Sequence, residues 1–274
     1  MSNKLAKIFD KMCLCRHFEL GLIKAVEDGR VIIPVYLSLG QEAVAATLAV
    51  EIEPCPVQIF TQHRSHDIYL SFGGLPERLR DELLGLPNGT SGGRAGSNCL
   101  QHHSGNVSMF GHHGLVGENV PIGTGAALGN GIKTLIVFGD GAAEEDYVLS
   151  SIGFASTHRL PILFICVDNG LAVLTKKETR RSWNIREVAQ AFGLPADDIK
   201  DNPIILHNLI AYYWRDNLPA LINVRVCRER RHEGIGIDGE KEWNRLEHVR
   251  DTVGFGAEQI EEKRKVEMEE LWKP

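Results

Sequence analysis

Two apolar segments with a helix-like stretch between them constrain this chain more than any other part of its sequence. Residues 134–138 and 162–167 are almost wholly apolar, as strands buried on both faces of a sheet require. Between them, residues 142–157 carry apolar side chains at helical spacing. A Gly-Asp-Gly turn follows the first segment, and His-Arg-Leu-Pro precedes the second. This order predicts a β-α-β unit with parallel strands, and therefore an α/β chain.

Polar side chains follow both predicted strands. Asp140 follows the first strand and Asn169 the second. A right-handed crossover brings these ends to one edge of the sheet, where open α/β sheets bind ligands. Carboxylate and amide oxygens suit Mg²⁺, which takes further oxygens from phosphates, so the pattern favours a metal-bridged diphosphate. A helix N-cap and a simple turn are the alternatives. A dinucleotide loop fails because Glu144 replaces its third Gly.

The stretch GDGAAEEDYVLSSIGFASTHRLPILFICVDNGLAV, residues 139–173, resembles the thiamine diphosphate motif of one protein family. The family comprises the alpha chains of the first component of 2-oxo acid dehydrogenase complexes. Its motif closes on an Asn pair, whose first member is Asp168 here. The resemblance implies a three-layer α/β/α fold with a mostly parallel sheet. It implies Mg²⁺ ligands at Asp140, Asn169 and the main-chain carbonyl of Leu171. It also implies cofactor contacts from Gly139, Asp140, Gly141 and Ala142.

Further matches to this family lie upstream of the motif and cover the chain from about residue 5 to 235. Arg64 matches the Arg of an aromatic-Arg pair that holds the diphosphate, and His63 takes the aromatic place. A solvated salt bridge is the alternative for Arg64. In the Gly- and His-rich loop over residues 86–117, which we expect to be mobile, Gly114 and Val116 match contacts to the aminopyrimidine ring.

Three more residues are implied to take part in catalysis. His113 would face the reacting carbon as a proton carrier, or else hold its loop by hydrogen bonds. His232 matches a His that reaches the diphosphate and the mouth of the active site. Glu145 matches an acidic residue of transketolase-type enzymes and would join a proton path between sites, although a helix N-terminal carboxylate explains it equally well.

The composition agrees with one large domain. The chain has 274 residues, of which 43% are hydrophobic, enough for one large core. We expect a single thiamine diphosphate-binding domain over residues 1–274, with a charged helical tail at 235–274. The hydrophobic pattern predicts helices over residues 4–27, 38–50, 120–132, 184–192 and 207–216, and a strand over 219–226.

Charge, hydropathy and cysteine usage narrow the classes of function. The net charge of −6 without a basic stripe argues against a nucleic-acid surface. No run has the length of a membrane span and the N-terminus lacks an apolar signal core, so we expect no membrane association and a cytoplasmic protein. The six cysteines lack metal-ligand spacing, and nothing accompanies His102-His103 or His112-His113 to complete a zinc site.

The resemblance also implies a partner. In the family, the Glu that activates thiamine diphosphate comes from a pyrimidine-binding domain, for which one α/β unit leaves no room. A separate beta chain is therefore expected, in a heterotetramer of two alpha and two beta chains. The implied activity is decarboxylation of a small 2-oxo acid, with transfer of the acyl or hydroxyalkyl group to an acceptor such as a lipoyl carrier domain.

Two other functions remain open on the sequence. Asn98-Cys99 stands where the dehydrogenases typically have Met-His. This difference leaves room for a biosynthetic carboligase or transketolase-like subunit, which forms a C–C bond with a ketose or aldehyde substrate. A non-catalytic regulatory paralogue is the third hypothesis, against which the presence of both Asp140 and Asn169 argues.

Overall fold

The computed structural model describes residues 2–52, 55–111, 114–238 and 242–274. The strands described are β1 Val57–Phe60, β2 His102–Ser104, β3 Val107–Phe110, β4 Thr134–Gly139, β5 Ile162–Asp168, β6 Leu171–Ala172, β7 Thr175–Lys176, β8 Ala196–Lys200 and β9 Ala220–Arg225. The helices described are α1 Ser2–Glu27, α2 Glu42–Ile52, α3 His66–Ser71, α4 Pro76–Leu83, α5 Asn119–Asn130, α6 Asp146–His158, α7 Lys177–Arg180, α8 Ile185–Ala191, α9 Pro203–Arg215, α10 Arg245–Val253 and α11 Ala257–Leu271, with a 3₁₀ turn at Ala142–Glu144.

A seven-stranded sheet in the order β2-β3-β1-β4-β5-β9-β8 forms the centre of the molecule. Only β2 runs antiparallel to its neighbour, β3, whereas the other neighbouring pairs are parallel. Strands β6 and β7 form a separate small hairpin. The predicted three-layer α/β/α fold with a mostly parallel sheet is confirmed.

Alternate residues of β4 show how the two faces of the sheet are covered. Leu135 and Val137 belong to a core formed with α1, α2, α9 and α11. Ile136 and Phe138 point into a second core, which α5, α6 and α8 complete. Burying one such side chain contributes about 1.5–3 kcal/mol. The continuous apolar run of this strand follows from its burial on both faces.

The order of the strands determines where a ligand can bind. Next to β1, strand β3 lies on one side and β4 on the other, so the direction of winding changes between β1 and β4. Ligands of open α/β sheets bind at the carboxyl ends of strands near such a switch point. The residues after β1, β4, β5 and β9 meet there.

The Gly- and His-rich segment is more regular than we predicted. It contains β2 and β3, and β3 pairs with β1 from Val57↔Val107 to Phe60↔Phe110. Just before it, the buried carboxylate of Glu82 accepts hydrogen bonds from the backbone N–H groups of four residues: Ser91, Gly93, Ala95 and Gly96. The carboxylate therefore anchors the first part of the segment to α4.

The charged C-terminal segment also differs from a simple surface tail. Helix α11 packs along α1, and the side chain of Trp272 that follows it is buried. The indole N–H of Trp272 donates a hydrogen bond of 3.1 Å to the carbonyl of Phe18 in α1. Of the helices in the described part of the chain, none is long and apolar enough to span a bilayer.

Candidate active site

A cleft opens at the carboxyl ends of β1, β4, β5 and β9. Most of the residues singled out from the sequence line it. They are His63, Arg64, Val116, Gly139, Asp140, Gly141, Ala142, Asn169, Leu171 and His232. The expected convergence of Asp140 and Asn169 is therefore present in the fold, because their strands β4 and β5 are parallel neighbours.

The Gly-Asp-Gly turn after β4 is tightly enclosed. A Cβ on Gly139 would lie 2.9 Å from Oε1 of Gln62, and one on Gly141 would lie 3.1 Å from Cβ of Ala172. A side chain at either position would therefore force its neighbour, Gln62 or Ala172, to shift. Asp140 between them is only 1% exposed, and Nη2 of Arg180 lies 2.6 Å from its Oδ2.

The electrostatic environment of Asp140 disfavours its charge. Burial, together with the nearby charge of Asp168, raises the pKa of its carboxyl to about 6. The guanidinium of Arg180 acts in the opposite direction. A carboxyl in a cleft with a raised pKa is a candidate functional group, and a bound cation would favour its charged form.

Asn169 shapes the turn that follows β5. Its Oδ1 accepts a hydrogen bond of 3.0 Å from the backbone N–H of Leu171, which holds the backbone of the residue that carries the proposed carbonyl ligand. Asp168 stands where the family has its first Asn, and its carboxylate already has two partners in the protein. It pairs with Lys177 and accepts a hydrogen bond of 3.2 Å from Nδ2 of Asn223.

Two arginines border the opposite side of the cleft. Arg64 is 3% exposed, so the alternative of a solvated surface salt bridge is wrong. Its Nη1 donates to the carbonyl of Leu37 at 2.5 Å and its Nη2 to the carbonyl of His232 at 3.0 Å. Burial and the charge of Arg228 lower the pKa of Arg64 to about 10. This side of the cleft is therefore rich in positive charge.

Three rings form a cluster at the mouth of the cleft. The ring centroids of His63 and His232 lie 4.9 Å apart, and Tyr36 packs edge-on against both, at 5.1 Å and 5.7 Å. Burial, with the charges of Arg64 and Arg228, lowers the pKa of His232 to about 4. At neutral pH its imidazole is consequently uncharged and can accept a hydrogen bond.

The remaining predicted residues are less closely tied to the cleft. Gly114 lies two residues before Val116, outside the lining, in a left-handed conformation with φ of 118°. Glu145 is the N-cap residue of α6 and also lies outside the lining. His113 falls outside the described residues. Its role, and those of Gly114 and Glu145, stay predictions.

Several residues of the site were not singled out from the sequence. Arg228 lies shortly after a predicted strand, and Gln62 and Tyr36 give no local signal. Arg228 donates through Nε to Asp238 at 2.5 Å and through Nη2 to the carbonyl of Val173 at 2.9 Å. Val173 adopts φ of 55°, which is rare for a β-branched residue, and such strain often marks functional sites.

The donors at this edge fit a magnesium-bridged diphosphate. In the described ranges, no three His, Cys, Asp or Glu side chains come together as a metal cluster. The candidate donors are instead one carboxylate, one amide oxygen and one main-chain carbonyl, from Asp140, Asn169 and Leu171. Mg²⁺ is typically bound by one or two protein carboxylates and completes its shell with phosphate oxygens and water. Arg64 and Arg228 supply positive charge for the same anion.

Comparison with known proteins places the chain in a family. The family model described as Dehydrogenase E1 component matches residues 10–201. The chain therefore belongs to the dehydrogenase E1 component family. The predicted relationship to 2-oxo acid dehydrogenase alpha chains is confirmed.

The curated relatives are longer than this chain. It is 30% identical over 200 residues to the pyruvate dehydrogenase E1 component subunit alpha of Zymomonas mobilis, which covers 71% of this chain and 56% of that protein. It is 35% identical over 231 residues to the mitochondrial pyruvate dehydrogenase E1 component subunit alpha of Dictyostelium discoideum. That match covers 80% of this chain and 60% of the relative. The pyruvate dehydrogenase E1 component subunit alpha of Rickettsia prowazekii is 29% identical over 243 residues. That match covers 85% of this chain and 74% of the relative. The chain thus spans less than two thirds of the length of the Zymomonas and Dictyostelium proteins.

Proposed function

We propose that this chain is the alpha subunit of a two-chain enzyme that uses thiamine diphosphate and Mg²⁺. The enzyme decarboxylates a 2-oxo acid and transfers the resulting acyl or hydroxyalkyl group. One observation carries the proposal. Asp140 and Asn169, at the ends of adjacent parallel strands, line the same cleft as Arg64 and His232.

Different residues of the cleft would bind Mg²⁺ and the diphosphate. Asp140, Asn169 and the carbonyl of Leu171 would hold Mg²⁺, and the small residues Gly141 and Ala142 leave room for the diphosphate beside them. The guanidinium groups of Arg64 and Arg228 favour the same anion from the other side. When bound, thiamine diphosphate supplies the electron sink that decarboxylation requires.

His63 and His232 are placed for contacts at the mouth of the cleft. The pKa of His232 is lowered to about 4, so at neutral pH this imidazole is uncharged, is a weak base, and would act through hydrogen bonds and not as a general acid. Its carbonyl is held by Arg64, which couples the position of the ring to the diphosphate side of the cleft. The edge-on contact with Tyr36 limits the rotation of both imidazoles.

Exposed apolar side chains beside the cleft support a partner chain. Val116 and Val173 line the cleft and are 44% and 54% exposed, and their neighbours Leu115 and Leu174 are more exposed still. Apolar residues grouped in this way favour a protein interface. We infer that the beta chain covers them and supplies the activating Glu, within a heterotetramer, and that a lipoyl carrier domain approaches the same opening.

The test is to purify the chain with its partner and to measure thiamine diphosphate binding by calorimetry, with and without Mg²⁺. Mg²⁺-dependent binding is expected, together with reduction of an artificial electron acceptor when 2-oxo acids are supplied. A C–C bonded product from aldehydes, without acceptor reduction, would favour the carboligase instead. Absence of Mg²⁺-dependent binding in the complex would favour the regulatory paralogue.

A further inference from the structure

Arg180 contacts the metal edge of the cleft although no part of the proposed chemistry assigns it a role. It is the last residue of α7, and its side chain extends over the Gly-Asp-Gly turn. Nη2 lies 2.6 Å from Oδ2 of Asp140, and Nη1 lies 2.6 Å from Oε1 of Glu144. A Cβ on Gly141 would be 3.7 Å from Nη1. The guanidinium therefore bridges two carboxylates directly above the turn.

The two oxygens of Asp140 are consequently in different environments. Oδ2 is bound by Arg180, whereas Oδ1 accepts no hydrogen bond from any residue that the structure describes. The neighbouring Arg181 also holds the main chain, because its Nη1 donates to the carbonyl of Asp140 at 3.1 Å. Both the side chain and the backbone of Asp140 are thus fixed, and one carboxylate oxygen remains for a cation.

Glu144 makes this arrangement rigid. An arginine that bonds a single carboxylate can follow it as it rotates, but Arg180 is held at two points by Asp140 and Glu144. Charge-assisted hydrogen bonds of 2.6 Å are short and directional. The side chain of Arg180 is mostly shielded from solvent, so bulk water screens these contacts little.

We propose that Arg180 is a positioning residue for the metal: it clamps Oδ2 of Asp140 so that Oδ1 is presented to a divalent cation. The inference rests on the proposed function, since it presupposes a cation at Asp140. Partners that orient a metal ligand are typically worth about 10–100-fold in metal affinity. A guanidinium that competed with the cation for the carboxylate would have the opposite effect, so the two roles predict changes of opposite sign.

The experiment compares Mn²⁺ binding, followed by electron paramagnetic resonance, in the full chain with the partner with which it purifies. Thiamine diphosphate is kept saturating. Arg180→Gln is expected to weaken Mn²⁺ binding by about 10–100-fold and to alter the spectrum of the bound ion. Arg180→Lys should restore part of the affinity, because an ammonium group can still pair with Asp140 but lacks the two separate nitrogens with which Arg180 holds both Asp140 and Glu144.

Arg186→Gln is the matched control. Arg186 lies on α8 with a half-exposed side chain, and its described ion pair is with its neighbour Glu187 at 3.5 Å. Its replacement removes the same charge and should leave Mn²⁺ binding unchanged. Thermal unfolding checks that each variant is folded, and the Lys variant provides the test if the Gln variant is not.

The outcomes separate this inference from the function on which it rests. If the unmodified complex binds no Mn²⁺ in the presence of the cofactor, both are overturned. If it binds Mn²⁺ and Arg180→Gln binds equally well, only the positioning role is overturned. Tighter binding by Arg180→Gln would show that the guanidinium competes with the cation, which also overturns it.

Discussion

Replacing Asp140 by Asn is expected to stabilise the metal-free chain while abolishing its response to Mg²⁺. The pKa of this carboxyl is raised from 3.8 to about 6, first by burial and then by the charge of Asp168. Ionisation is therefore less favourable in the folded chain than in the unfolded one. A pKa difference of about two units corresponds to about 3 kcal/mol of folding free energy.

The direction of this effect follows from the raised pKa. Below about pH 4 the carboxyl is protonated in both the folded and the unfolded chain, so it does not reduce the free energy of unfolding. As the pH rises from about 4 to about 6, the unfolded chain ionises first and the free energy of unfolding falls. Asn resembles the protonated form and cannot ionise. At pH 8 without metal, Asp140→Asn should therefore raise the free energy of unfolding by about 1–3 kcal/mol, the lower figure allowing for a weaker bond to Arg180. Near pH 4 the difference should disappear.

Urea unfolding with EDTA, and with Mg²⁺ plus thiamine diphosphate, measures both effects. Ligands at about 100 times their dissociation constant should stabilise the unmodified protein by about 2.7 kcal/mol, and the variant hardly at all. Asp201→Asn is the control, because Asp201 is a buried Asp that pairs with Arg245 outside the cleft. It should leave the gain from Mg²⁺ unchanged.

Two results would contradict this reasoning. An Asp140→Asn chain that is less stable than the unmodified chain at pH 8 without metal would refute the electrostatic argument. An unchanged gain in stability from Mg²⁺ and thiamine diphosphate would refute the metal role of Asp140. The two results are independent, because one concerns the metal-free fold and the other concerns binding.

Three further predictions concern the other side of the cleft. Arg64→Lys should weaken diphosphate binding by at least about tenfold in calorimetry, because an ammonium group cannot bond the carbonyls of both Leu37 and His232; unchanged affinity would argue against the phosphate role. The imidazole of His232 should stay neutral from pH 8 to pH 5 in an NMR titration, and a midpoint near 6.5 would contradict the influence of burial and the two arginines. Val173→Gly should raise the free energy of unfolding by about 1 kcal/mol in urea, since Gly adopts positive φ freely, and a decrease would show that the conformation is not strained.

The parts of the fold that the sequence predicted are those with a strong local pattern. Strands β4, β5 and β9 are buried on both faces and therefore appear as apolar runs. The polar residues that follow them had to meet at one edge once the strands were known to be parallel. For this reason Asp140 and Asn169 were identifiable without coordinates.

The missed strands lack that pattern. Strand β8 reads Ala-Asp-Asp-Ile-Lys and lies at the edge of the sheet, where only Ala196 is fully buried. Strands β2 and β3 are short and lie at the opposite edge, within a segment whose Gly and His content is typical of a loop. Strand β3 pairs with the distant strand β1, from Val57↔Val107 onward, and β2 pairs with β3, so both strands depend on a long-range contact and not on local preference.

Side-chain partners in the cleft were even less predictable, because they join residues far apart in sequence. Lys176, Lys177, Arg180, Arg181 and Arg186 all follow β5, and nothing in their order shows that Arg180 pairs with Asp140. The packing of α7 against the turn decides it. Only coordinates can therefore distinguish a cation that serves the metal carboxylate from one that faces solvent.

The two groups of cations in the cleft differ in what they neutralise. Arg180 and Lys177 are matched by the carboxylates of Asp140 and Asp168, so the metal edge carries paired charges. Arg64 instead donates to two neutral carbonyls, so its hydrogen-bond partners carry no negative charge, although Glu19, Asp67 and Asp238 offset its charge from nearby. Burial first, and then an excess of positive charge on that side, lowers the pKa values of Arg64 and His232. A bound diphosphate would offset it and return both pKa values towards their ordinary range, so the cleft favours an anion whose charge lies between Arg64 and the metal.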